Sequence, residues 1–145
     1  MYVRELVVSY RRRHVMSASG SRSVSTPAEA ASVFASIMGE EAVEVFGFLS
    51  LTTRHHLIAY HQISRGGIDR TPVSPREVFQ MALLSHAAAI VIGHNHPSGD
   101  PSPSSDDVAL TWKLTQAGEL IGVSVLDHVI VGDHRYYSFK EGGRL

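Results

Sequence analysis

The chain predicts a single α/β (α+β) domain, a mixed β-sheet flanked by about three helices. Three observations predict it. Helix-start signatures occur at Thr26-Pro27-Ala28-Glu29, Ser74-Pro75-Arg76-Glu77 and Ser104-Ser105-Asp106-Asp107. Short apolar runs of strand length lie between and after them. A length of 145 residues, 43% apolar and 19% charged, suits one domain that buries its own core.

In chain order, residues 1–24 read as an N-terminal strand and a flexible segment, and residues 25–145 as the folded domain. Residues 3–10 alternate as a strand does, and 15–25 are rich in Ser, Gly and Arg, as connectors are. Thr26 and Glu29 form a capping box with Pro27 at the first helical position. Val33, Phe34, Ile37 and Met38 follow at helical spacing, with Gly39 as the stop. Residues 43–51 and 57–63 read as a hairpin across a turn at 52–55. A second capping box at Ser74 opens a helix to about Ala87, with Val78, Met81, Ala82 and Ser85 on one stripe. Residues 88–93 form a short apolar strand of the buried central kind, which delivers His94. The loop 97–103 carries three of the six prolines, so it is stiff and cannot join a ladder. A helix from Ser104 to Ala117 turns Leu110, Leu114 and Ala117 inward and ends at Gly118. Strands at 123–131 and 136–139 close the pattern across Gly132-Asp133.

Composition excludes several classes. With no cysteine, disulfides, thiolate metal sites and a cysteine nucleophile are all ruled out. Net charge is −1, so no global field recruits nucleic acid, and Arg11-Arg12-Arg13-His14 reads as a solvated charged segment. Charge at Arg4 and Glu5 interrupts what a signal peptide needs to be apolar, and no run approaches a membrane span. A cytoplasmic location is the expectation.

The chemistry concentrates in His94-Asn95-His96-Pro97-Ser98-Gly99 and the Asp107 that follows. Two histidines two residues apart share one side of an extended backbone. A carboxylate at the next helix start completes a three-ligand set with one coordination position open, as in a catalytic zinc site. Asp106 and Asp107 compete for that role, because one residue along a helix turns the side chain by about 100°. Asp107 also fits an ordinary cap, three residues after Ser104. Zinc lowers the pKa of its water to around 7, yet a general base is still required. Neither His-Glu-x-x-His nor the deaminase pattern with Pro-Cys-x-x-Cys is present, and chain position alone does not identify the base. His55, His56, His61, His86 and His134 read as structural or surface residues. Asp127-His128 is either a supporting pair or a polar break in a strand, and stays outside the predicted site.

The pattern His94-x-His96-Pro97, then Ser104-x-x-Asp107, resembles the JAMM (MPN+/JAB) metalloprotease motif. Pro75-Arg76-Glu77-Val78-Phe79, the run from His94 to Pro101, and Leu126-Asp127-His128-Val129-Ile130-Val131-Gly132 resemble the RadC family, over roughly residues 25–145. The resemblance implies a JAB/MPN (cytidine deaminase-like) fold and His94, His96 and Asp107 as zinc ligands. It implies that Ser104 stabilises the oxyanion and that Glu44, in Glu44-Val45-Phe46-Gly47, is the base, with Glu40 and Glu41 as alternatives. Ser74 departs from the family, which commonly has His there. Longer RadC proteins carry an N-terminal helix-hairpin-helix region, which 145 residues are expected not to accommodate.

The leading expectation is a zinc metalloprotease (Zn2+ cofactor), its activated water attacking a peptide or isopeptide bond of a protein substrate. The alternative is a DNA repair-associated protein acting through DNA or protein binding, although near-neutral charge favours weak DNA binding at most. His94-Asn95-His96 spells HNH, but HNH nucleases spread those residues over separate elements. A third reading is a non-catalytic interaction module on the same fold.

Overall fold

The computed structural model describes residues 1–16 and 20–145. The elements are α1 (Pro27–Met38), β1 (Val45–Leu51), β2 (Leu57–Arg65), α2 (Pro75–Leu84), β3 (Ala89–Asn95), α3 (Ser105–Ile121), β4 (Ser124–Val131) and β5 (Tyr136–Ser138). The strands form one mixed sheet in the order β2-β1-β3-β4-β5. β3 and β4 pair in parallel through the α3 crossover, and the other neighbours are antiparallel. This is the predicted mixed α+β architecture.

Helices cover both faces of the sheet. On one side α1 buries Val33, Phe34, Ile37 and Met38 against Leu49, Val91 and Val129. α1 rests directly on the strand backbone, since a Cβ on Gly93 would meet the Phe34 ring at 2.4 Å. On the other side Val78, Phe79 and Ala82 of α2 and Leu110 and Leu114 of α3 pack on Phe46, Phe48, Ile90 and Ile92. Strands buried on both faces read as continuous apolar runs, and β1 and β3 are buried throughout. Among the described residues, no helix is long and apolar enough to cross a membrane.

Several boundaries differ from the sequence reading. Residues 3–10 form no strand, because a strand requires a partner ladder and this exposed segment has none among the described residues. The expected flexible segment falls partly outside the described residues, at 17–19. Its later part is tied down, since Val24 donates to His55 O at 2.8 Å and Leu57 donates to Arg22 O at 2.8 Å. Gly39 caps α1 in the right-handed region (φ −61°), so the stop is not a left-handed glycine. α2 ends at Leu84, three residues early. The Ser85 hydroxyl folds back onto the Met81 and Ala82 carbonyls, and His86 turns left-handed at φ 55°. Its buried face uses Phe79 where Met81 was expected, and Met81 is exposed. α3 runs past Gly118, where a Cβ would meet Val123 O at 2.4 Å, so only glycine fits against the chain that follows the helix. The true stop is Gly122, left-handed at φ 87°.

Candidate metal centre

β3 ends in the residues that carry chemistry. His94 lies opposite Phe46 of β1 and Ile130 of β4, so this strand end sits between two neighbours rather than at an edge. Strand alternation turns His94 toward the α3 face and Asn95 toward the α1 face. His96 follows the strand, held by its N–H to Val131 O at 2.9 Å. Beyond the proline-rich loop, Ser104 caps α3 and Asp107 comes round to the histidines.

The three predicted ligands converge. His94 Nε2 is 3.0 Å from His96 Nε2 and 3.2 Å from Asp107 Oδ1, and His96 Nε2 is 3.4 Å from Asp107 Oδ2. Around an ion with bonds of about 2.0–2.2 Å, tetrahedral ligand atoms stand roughly 3.3 Å apart. The residues therefore fit one ion. Two nitrogens at 3.0 Å with a buried carboxylate between them also form the kind of donor set a cation satisfies. Asp106 is exposed on α3, so of the two competing carboxylates Asp107 faces the histidines.

Glu44 joins the group from the segment before β1. Its Oε1 is 3.8 Å from His94 Nε2, and ligand atoms of Glu44, His94, His96 and Asp107 all lie within 4.8 Å of one another. The Glu44 side chain is 26% exposed whereas His94 is fully buried, so Glu44 stands on the solvent side. Of the alternatives, Glu41 pairs with Arg65 at 2.8 Å and Glu40 is exposed outside the group. Ser104 is exposed at the helix start, where its Oγ accepts from Asp107 N at 3.1 Å. Its own N–H donates to Asp107 Oδ2 at 2.8 Å. Asp107 thus closes the capping box and faces the two histidines at once.

Charges here reinforce one another. Burial opposes the Asp107 charge, but the adjoining His94 and His96 imidazoles and the Ser104 N–H outweigh it and hold this carboxyl far below the usual range. His96 moves up, chiefly through its hydrogen bond to Asp107, against the pull of burial.

Sequence reading misses one supporting residue, Asn95, and leaves a second, His128, open between a supporting role and a polar break in its strand. Asn95 clamps the Glu44 segment: its Oδ1 accepts from Val45 N at 2.6 Å, and its Nδ2 donates to Val43 O at 3.0 Å. The signal was its position between the histidines, where alternation sends it to the opposite face. His128, fully buried on β4, sets Nε2 2.7 Å from His94 Nδ1 and Nδ1 2.5 Å from Thr111 Oγ1. Burial drives its pKa well below the ordinary value. Its neighbour Asp127 has a separate structural task, accepting from His128 N, Lys140 N and Ser138 Oγ. The remaining histidines stay outside the group: His14 is exposed in the N-terminal segment, His55, His86 and His134 occupy left-handed turns, His56 lies at the start of the β2 hairpin, and His61 stacks on Phe48.

A family model described as the RadC-like JAB domain matches residues 24–144. A UPF0758 protein of Alkaliphilus oremlandii is 51% identical over 98 residues, 68% of this chain and 42% of that protein. UPF0758 proteins of Xanthomonas axonopodis pv. citri and Methanosarcina mazei are 43% and 39% identical over 92% of this chain. The chain spans 60% and 58% of those two relatives.

Proposed function

The chain belongs to the RadC-like JAB domain family, and we propose that it is a zinc-dependent hydrolase of peptide or isopeptide bonds. The observation that carries this reading is the convergence of Glu44, His94, His96 and Asp107 within 4.8 Å. Three groups at ligand spacing and a fourth, more distant carboxylate form the division of labour that metal-assisted hydrolysis needs.

His94, His96 and Asp107 would hold the zinc, which would supply Lewis acidity and lower the pKa of water there to around 7. Glu44 removes the proton from the attacking water and returns it to the leaving amine nitrogen as the C–N bond breaks. Its distance and partial exposure favour that role over ligation. The Ser104 oxygen accepts from Asp107 N, which leaves its hydroxyl proton free to donate to the developing oxyanion. Asn95 fixes the backbone on both sides of Glu44 and so limits drift of the base. A groove between α1 and the loops 96–99 and 131–136 opens beside His96, where a substrate chain would lie. A cysteine-free chain also suits the reducing cytoplasm.

Digestion of an unbiased peptide library with zinc-loaded protein tests the reading. Cleavage by the wild type and none by Glu44→Gln is expected. Equal cleavage by both would remove Glu44 from the mechanism, and no cleavage by either would count against hydrolysis.

A further inference from the structure

His128 and Thr111 belong to neither the ligands nor the base, yet both are buried against the centre. We propose that Thr111 and His128 form a directed hydrogen-bond relay that holds His94 in the tautomer whose Nε2 lone pair faces the metal. They are positioning residues. The inference rests on the reading of the site as a metal centre, not on the hydrolysis assigned to it.

Proton accounting sets the direction. Thr111 Oγ1 lies 2.6 Å from Asp107 O, and a carbonyl oxygen only accepts. Two oxygens that close need a proton between them, so the single hydroxyl proton is committed there. Thr111 Oγ1 must then accept from His128, 2.5 Å away, which puts the imidazole proton on Nδ1. A neutral imidazole carries one N–H, so His128 Nε2 is bare and accepts from His94 Nδ1 at 2.7 Å. His94 Nε2 is therefore the nitrogen left to ligate. The reverse direction would strip the short Thr111–Asp107 contact of its proton. It would also put the His94 proton on Nε2, 3.0 Å from His96 and 3.2 Å from Asp107, in the space the cation needs.

His96 reaches the same state more simply, because its Nδ1 lies 2.8 Å from the Asp100 carbonyl and must donate. An outer acceptor orienting each ligating imidazole is a general device of metal sites. What distinguishes His94 is a chain that begins and ends on one helix turn: Asp107 ligates through its side chain and anchors the relay through its carbonyl. Thr111 comes four residues later on the same face of α3. Phe139 stacks on His128 at 4.7 Å and 8° between planes, which fixes the ring plane.

Long-range 15N–1H imidazole spectra of the full chain, without and with one equivalent of Zn2+, read the tautomers directly. His128 protonated at Nδ1 with bare Nε2 is expected in both, and protonation at Nε2 would overturn the relay. Zn2+ affinity, measured against a chromophoric chelator, should fall by about 10- to 100-fold in Thr111→Val and recover in Thr111→Ser. Wild-type affinity in Thr111→Val, or no recovery in Thr111→Ser, would equally overturn it. A purely structural role would lower the melting temperature in step with the affinity and leave the His128 proton on Nδ1 in Thr111→Val. The relay instead predicts a changed tautomer population at nearly unchanged melting temperature. Should the wild type show these tautomers yet bind no Zn2+, the metal reading of the centre fails while the proton arrangement stands.

Discussion

α1 and α3 begin with the same device and put it to different uses. At α1, Glu29 Oε2 accepts from Ser25 N and Thr26 N at 2.7 and 3.0 Å while Thr26 Oγ1 accepts from Glu29 N. At α3, Asp107 and Ser104 exchange the equivalent pair of bonds. Thr26 is exposed and Glu29 half-buried, whereas Asp107 retains 1% exposure. A buried carboxylate must be matched by donors, and Asp107 adds the His96 imidazole to its backbone N–H, where Glu29 has the backbone N–H groups of Ser25 and Thr26 alone. The cap motif therefore specifies a helix start only. Its location against the end of β3 makes one copy chemical.

The largest contrast should come from removing each acid. Asp107→Ala is expected to lower Zn2+ affinity more than about 100-fold and abolish turnover, since even supporting residues cost 10- to 100-fold. Glu29→Ala should leave both unchanged, as read by chelator competition and peptide digestion. Next, Glu44→Gln should keep Zn2+ at wild-type stoichiometry and lower turnover by about 10²–10⁴-fold. Loss of zinc in that variant would make Glu44 a ligand.

The contrast extends to pH. His96 holds its proton to higher pH than an ordinary histidine because Asp107 faces it, and an incoming cation must displace that proton. Affinity should therefore fall as pH drops through a value above that of an ordinary histidine, visible in chelator competition across that region. Asp107→Asn should move this midpoint down.

Smaller effects separate stability from chemistry. Thr26→Ala and Ser104→Ala should each cost about 1 kcal/mol in urea unfolding, the ordinary worth of a cap. Only Ser104→Ala should also slow turnover, and equal turnover would confine Ser104 to capping. Smallest of all is acid sensitivity at α1. Backbone N–H groups of Ser25 and Thr26 lower the Glu29 pKa, so its contribution is present above the unfolded carboxylate value. It is lost as pH falls through the lower folded value. Acid unfolding of Glu29→Gln against the wild type should reveal that difference, and identical acid profiles would remove it.

What could be read from the chain follows from how local each cause is. The caps at Thr26, Ser74 and Ser104 declare themselves within four residues, and the β1–β2 hairpin within a short turn. The convergence of His94, His96 and Asp107 was readable because a strand end and a helix start carry them, joined by a stiff loop. Residues 3–10 misled because alternation describes a strand's faces, while pairing depends on a distant edge. Gly118 and Gly122 both resemble helix stops, and only the packing of Val123 tells them apart. The contact of His128 with His94 depends on the β3–β4 register, which a bulge shifts between Ile90 and Val91. No pattern in either strand alone reveals it.

The central claim is that two imidazoles and the α3 cap carboxylate hold one ion. A crystal structure grown with Zn2+, measured on both sides of the zinc absorption edge, tests it most directly. The account predicts one anomalous peak within about 2.0–2.2 Å of His94 Nε2, His96 Nε2 and an Asp107 oxygen. A zinc-soaked crystal with no peak there, or with its peak on other residues, would contradict it.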